Sequence, residues 1–201
     1  MPSLIDLRRR IRSVKSTQQV TKAMKMVSAA KLRRAQDRAL DARPYAAIFR
    51  KVLGDVAAAV AGDEQLAAHP LLAQRPEKKI LVVLLTADRG LAGAFNSNLI
   101  RTTQQFLREH EDAETLLYTI GRKGRDFFRK RGAQIVAEKT GISQAARFSD
   151  AAEVAADVRR RFEECEADAV YLILFFRTHR HSTILFCRSL YPFGSVNEKN
   201  S

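Results

Sequence analysis

The sequence predicts an α/β protein: a long N-terminal helix joined to a body of alternating strands and helices. Three observations predict it. The first sixty residues hold no glycine before Gly54, and their apolar side chains recur at helical spacing. From Ile80 onward, short apolar runs of strand length alternate with amphipathic stretches, the pattern of a mixed or mainly parallel sheet covered by helices. Charge is also partitioned: residues 1–60 carry 14 Lys/Arg against 4 Asp/Glu (+10), and the remainder 21 against 18 (+3).

The N-terminal arm, residues 1–60, reads as one helix. Ser3 with Asp6 has capping-box spacing, and the carboxylate suits the positive end of the helix dipole. Leu4, Leu7, Ile11 and Val14 follow 3–4–3 spacing, the repeat that turns a seam toward a partner helix. The seam then shifts to Val20, Met24 and Val27, with Gln18 interrupting it. Ser28, Ala29 and Ala30 let another backbone approach. Pro44 is the one internal breaker. A helix from Ser3 to about Val60 is roughly 85 Å long, too long for the interior of a globule of 201 residues, so it is expected to project. Its cations Arg8, Arg9, Arg10, Arg12, Lys15, Lys22, Lys25, Lys31, Arg33 and Arg34 face one acid, Asp6, over the same stretch. A helix so uncompensated repels itself and calls for an acidic environment.

Residues 61–79, with Gly62, Pro70 and Pro76, break the periodicity and read as a linker. The body, residues 80–173, is expected to run strand Ile80–Thr86, helix Ala94–Glu109, strand Thr115–Ile120, and basic helix Arg122–Arg131. A strand Gln134–Ala137 follows, then a helix capped by Asp150 and reaching about Cys165, then strand Ala169–Phe176.

Composition excludes several classes. With 46% hydrophobic residues the chain is not globally disordered. Two cysteines, Cys165 and Cys187, make no disulfide framework and fit a reducing compartment. No apolar run approaches the roughly 20 residues of a membrane span, and the start lacks the apolar core of a secretory signal. The loop Thr86–Asn96 has glycines that permit a tight turn into a helix, whose free amides suit an anion. It is neither GxxxxGK[ST] nor GxGxxG, so a structural turn fixed by Asp88 and Arg89 is the expectation. Gly121-Arg-Lys-Gly124 matches the clamp of an RNA-binding KH domain, but a strand rather than a helix precedes it. His179 and His181 flank an arginine and lack nearby carboxylates, which argues against a metal site. No nucleophile–base set or paired carboxylates can be assembled. The pattern is that of a binding or mechanical part without cofactor, metal or catalytic residues. The alternative is a protein that binds the nucleic-acid backbone through the basic arm, although the arm offers no aromatic ring for stacking before Tyr45.

Residues Thr21-Lys-Ala-Met-Lys-Met-Val-Ser-Ala-Ala-Lys-Leu-Arg-Arg-Ala-Gln36 resemble the N-terminal signature of the gamma subunits of rotary ATP synthases. Ile11–Gln19, the loop Asp88–Asn96 and the turn Gly121–Gly124 are similar too, and the resemblance covers about residues 1–173. It implies a rotor: an antiparallel coiled-coil shaft of N- and C-terminal helices inside a ring of alpha and beta subunits. A Rossmann-like α/β domain would sit at its base beside epsilon and the c-subunit ring. Rotation would couple proton flow to ATP synthesis at the beta sites, with no catalysis by the subunit itself. The resemblance places the chain in a complex peripheral to the cell (inner) membrane, at its cytoplasmic face, with no span of its own and no nucleic-acid partner. It implies subunit contacts for Thr21, Lys22, Met24, Lys25, Lys31, Arg33 and Arg34 on the shaft, and for Asp88, Arg89, Gly90 and Asn96 on the body loop.

Beyond Ile173 the sequence departs from that pattern. Alanine never occurs after Ala169, and residues 170–201 hold a single acid, Glu198. Residues 174–201 therefore read as an aberrant or non-family end without the C-terminal shaft helix, which predicts impaired coupling. A frameshift explains it, as does a short paralogue or a fragment completed by another chain.

Overall fold

The computed structural model describes residues 3–60, 71, 75–142, 146–177, 182–187 and 196–199. The chain forms two compact units, Met1–Val56 and Ala57–Ser201. The expected linker falls mostly outside the described residues, Gly62 and Pro70 included, as do His179 and His181.

Helix α1 spans Leu4–Val60, 57 residues, as the periodicity predicts. The Ser3 hydroxyl accepts the Ile5 amide at 3.3 Å and so caps one of the amides left open at a helix start. The helix runs through Pro44. Proline has no N–H to give the carbonyl four residues back, so Leu40 loses that bond and the helix is weakest there. Leu53 is half-buried; every other described α1 side chain is exposed, the large apolar ones from Leu7 at 42% to Ile5 at 77%.

Among the described residues the body is built on a six-stranded sheet of order β3-β2-β1-β4-β5-β6. Its strands are β1 Lys79–Leu85, β2 Glu114–Ile120, β3 Ile135–Lys139, β4 Ala169–Arg177, β5 Ser182–Cys187 and β6 Val196–Lys199. The first four are parallel, and β5 and β6 add antiparallel on the β4 side. The sheet thus continues past residue 173, the expected end of the body. Helices α2 (Phe95–Glu109), α3 (Arg122–Arg129) and α4 (Phe148–Glu163) complete it.

Strands buried on both faces explain the near-continuous apolar runs. Ile80, Val82, Leu84, Leu117, Tyr171 and Ile173 pack with Leu99 and Phe106 of α2 and Phe128 of α3. On the opposite face Leu81, Val83, Leu116, Tyr118 and Val170 pack with Val154, Val158 and Phe162 of α4. Two clasps hold the amino end of the sheet. The Lys79 amide donates to Asp168 Oδ2 at 2.8 Å while the Asp168 amide donates to the Lys79 carbonyl at 2.8 Å. The Tyr171 hydroxyl donates to Glu77 at 2.7 Å.

Element ends differ from the sequence reading for identifiable reasons. Asp150 does not cap α4 from outside; it lies in the first turn and its carboxylate reaches back to the Arg147 amide at 3.1 Å. Helix α3 stops at Arg129 because Gly132 turns left-handed (φ 69°), and α4 stops before Cys165, also left-handed at φ 59°. Strand β3 runs to Lys139 because a bulge between the Leu117 and Tyr118 pairings leaves Val136 outside the ladder and resets its register.

Candidate functional site

The residues selected from sequence fall into two groups, one in each unit. Thr21, Lys22, Met24, Lys25, Lys31, Arg33 and Arg34 are exposed on α1. At about 100° per residue they do not share one stripe; Met24 and Arg33 lie on opposite sides of the helix. The apolar residues behave likewise. Leu4, Leu7, Ile11 and Val14 form one seam, and Val20, Met24 and Val27 a second about 150° around the helix. The Thr21 hydroxyl is engaged with its own helix, donating to the Thr17 carbonyl at 2.8 Å.

The second group lies at the carboxyl end of the parallel strands, beside the point where the chain, having added β2 and β3 on one side of β1, returns to add β4 on the other. In such sheets that point is where ligands are usually met. Strand β1 ends at Leu85, and Thr86–Asp88 then run against the start of α3. Three open amides of α3 are satisfied from this tripeptide. Asp88 Oδ1 accepts from Arg122 at 3.2 Å, the Ala87 carbonyl from Lys123 at 3.1 Å, and Thr86 Oγ1 from Gly124 at 2.9 Å. Thr86 Oγ1 also donates to the Ile120 carbonyl at 3.1 Å. Asp88 accepts the Gly141 amide as well, at 3.0 Å to each oxygen. Asn96 Oδ1 accepts from the Ala87 amide at 2.9 Å.

The turn Gly121–Gly124 is therefore the receptor for Thr86–Asp88, and its amides are not offered to a phosphate. Glycine is required there. At Gly121 (φ 95°) a Cβ would lie 2.1 Å from the Thr86 carbonyl oxygen, and at Gly124 one would lie 3.0 Å from Leu84 and Thr86 side-chain atoms. This close approach explains the spacing that resembles an RNA clamp.

The structure brings Asp88 and Asn96 into this network at the two ends of the loop. Arg89 and Gly90 are exposed between them, and Gly90 lies near the Lys123 side chain. Sequence reasoning missed Thr86, Gly141 and Leu91. Leu91 is fully exposed and left-handed (φ 61°), two residues before left-handed Gly93 (φ 56°). A leucine set between Gly90 and Gly93 was the available signal.

Several other charged groups are paired for structural ends. On α4, burial pushes the Asp157 carboxyl up, but hydrogen bonds from Arg160 and Arg161 outweigh it and hold the group below the usual carboxylate range. Burial, with Asp157 and Glu153 adding to it, pushes the Tyr118 hydroxyl up. Arg129 pairs with Glu138, and Lys139 with Glu153. Among the described residues no cluster of His, Cys, Asp and Glu could hold a metal, and no helix is long and apolar enough to cross a membrane.

A family model described as ATP synthase matches residues 3–200. The ATP synthase gamma chain of Solibacter usitatus is 58% identical over 173 residues, 86% of this chain and 60% of that protein. That of Pelotomaculum thermopropionicum is 52% identical over 173 residues, covering 86% and 59%. The chain thus spans about 60% of the length of the curated relatives it matches. A cryo-EM structure of the central stalk and c-ring of Tetrahymena thermophila mitochondrial ATP synthase superposes with a TM-score of 0.68 at 25% identity, over 86% of this chain and 72% of that one.

Proposed function

This chain belongs to the ATP synthase family, as one of its gamma chains, and we propose that it serves as a non-catalytic rotor element of the central stalk. In this reading α1 is half of a coiled-coil shaft standing in a ring of alpha and beta subunits. The α/β body meets epsilon and the c-subunit ring. Proton flow through the membrane sector turns the shaft, and its asymmetry drives the beta sites through ATP synthesis. The complex is peripheral to the membrane, at the cytoplasmic face.

One observation carries this reading: α1 exposes apolar seams on opposite sides and cations around much of its circumference. A surface helix of a globule needs one apolar stripe. A helix with two seams has something to meet on each side, and a shaft inside a ring does. A second helix along one seam also stiffens it, since a long single helix bends easily and a bent axle transmits little torque. Acidic surfaces on the surrounding ring would neutralise the cations at Lys22, Lys25, Lys31, Arg33 and Arg34. Thr21 and Met24 add contacts between them, while Asp88, Arg89, Gly90 and Asn96 belong to the body's contact loop. The division of the chain near residue 173 is part of the proposal, and reading the other frames of the coding DNA for an alanine-rich, heptad-patterned helix tests it.

Co-expression with alpha and beta subunits tests the function. The expected outcome is a purified complex that contains this chain and hydrolyses ATP. Recovery of alpha and beta without it, under conditions where the chain is folded, overturns the proposal. Steep salt-dependent binding to DNA or RNA in its place would favour a nucleic-acid role.

A further inference from the structure

The loop Thr86–Asn96 is pinned at both ends and strained in the middle. At one end Asp88 holds two separate elements: the first amide of α3, at Arg122, and the amide of Gly141 beyond β3. At the other, Asn96 on α2 holds the Ala87 amide. Between the pins, Leu91 and Gly93 are both left-handed, and Leu91 stands wholly in solvent. A non-glycine residue in that conformation is disfavoured by about 1–2 kcal/mol, so it persists where its surroundings enforce it. Nothing packs on Leu91 to enforce it; the pins are what remain.

We propose that Asp88 is a positioning residue: its carboxylate latches the starts of three connections, after β1, β2 and β3, into one edge and so holds the tip Arg89–Gly93 in a fixed pose. The chemistry suits a carboxylate. It faces the positive end of α3, and bonds from amides to an ionised acceptor are shorter and stronger than neutral ones. Two oxygens also let one side chain serve two elements. This inference rests on the reading of the loop as a subunit contact. It divides the four loop residues: Asp88 and Asn96 hold the pose, and Arg89 and Gly90, with Leu91, form the part that is presented.

The test uses the full chain by itself, so its outcome is independent of whether the subunit assembles with alpha and beta. Amide hydrogen exchange is followed at Arg122 and Gly141. In a Cys165→Ser, Cys187→Ser background, a spin label at Leu91→Cys reports the mobility of the tip. Asp88→Ala is expected to speed exchange at both amides about tenfold or more and to loosen the tip. Asp88→Asn, which keeps one acceptor oxygen, is expected to restore part of both. Asn96→Ala is expected to loosen the tip without exposing Gly141. If Asp88→Ala does not fold, the Asp88→Asn and Asn96→Ala pair gives the same reading at smaller amplitude. Unchanged exchange at Gly141 and an unchanged tip in the folded Asp88 variants would overturn the proposal, as would a loss of global stability without either local change.

Discussion

The backbone of Gly121 lies against Thr86 so closely that a Cβ there would stand 2.1 Å from the Thr86 carbonyl oxygen, at a φ of 95°. Backbone cannot yield as a flexible side chain can. Gly121→Ala is therefore expected to cost about 3 kcal/mol or more, near the limit of what a small domain survives. Gly132→Ala provides the contrast. Its φ of 69° is also left-handed, but nothing lies within 4 Å, so only the conformational cost of about 1 kcal/mol applies. Urea unfolding of the two variants checks this, and equal losses would mean that the contact with Thr86 is not what fixes the glycine.

Thr119 lies near the carboxyl end of β2, fully buried, with a hydroxyl that has no hydrogen-bond partner among the described residues. Replacing an unsatisfied buried hydroxyl with a methyl of similar shape removes a desolvation cost. Thr119→Val is expected to stabilise the body by up to about 1 kcal/mol in the same assay. A loss of stability would point to a bond that the hydroxyl makes in solution.

The two faces of the sheet are separate cores. Leu99 anchors α2 on one, and Phe162 anchors α4 on the other; both are fully buried. Leu99→Ala should cost about 2–5 kcal/mol and Phe162→Ala about 3–5 kcal/mol, each losing transfer energy and leaving a cavity. The two share no cluster, so their free-energy changes are expected to add within about 0.5 kcal/mol in the double variant. Strong coupling would show that the sheet transmits strain between its faces.

Asp157 has its carboxyl pKa lowered in the folded chain. A lowered pKa stabilises the fold at pH values above the ordinary carboxylate range and ceases to do so as pH falls through the folded value. Asp157→Asn should therefore destabilise the chain slightly at pH 7, by less than about 1 kcal/mol because the pair is partly solvated. The difference should shrink as pH falls below the ordinary carboxylate range and through the folded value. A gap between variant and parent that persists at low pH would show that the effect is not ionic.

Helix α1 exposes Leu4, Leu7, Ile11, Val14, Val20, Met24 and Val27. At about 25 cal/mol per Å² of apolar surface, covering several such side chains is favourable by several kcal/mol. The isolated chain is expected to self-associate through α1, or to show α1 amides exchanging far faster than those of β1 and β2. A monodisperse monomer with α1 fully protected would contradict this.

Much of the architecture was legible in the sequence because its signals are local. The 3–4 apolar spacing, the lack of glycine before Gly54 and the breakers of the linker together specified α1 to within a residue or two, and buried strands such as Ile80–Leu84 announced themselves as unbroken apolar runs. The ends of α3 and α4 differ from the sequence reading through a single backbone conformation each, at Gly132 and Cys165, which periodicity does not encode. Asp88 and Asn96 were legible as loop residues of interest, yet their partners were not. Two that Asp88 holds lie 34 and 53 residues away, and only the sheet order carries them to one edge.

The sequence by itself determined a cationic helix of unusual length, an alternating body and membership of a family, since helical repeat, charge and motif are properties of neighbours along the chain. Tertiary structure decided what the glycine-rich turns are for. Packing β1 beside β2 sets Thr86–Asp88 against the open end of α3, and amides that look free in the sequence are there satisfied by oxygens from the loop that follows a distant strand.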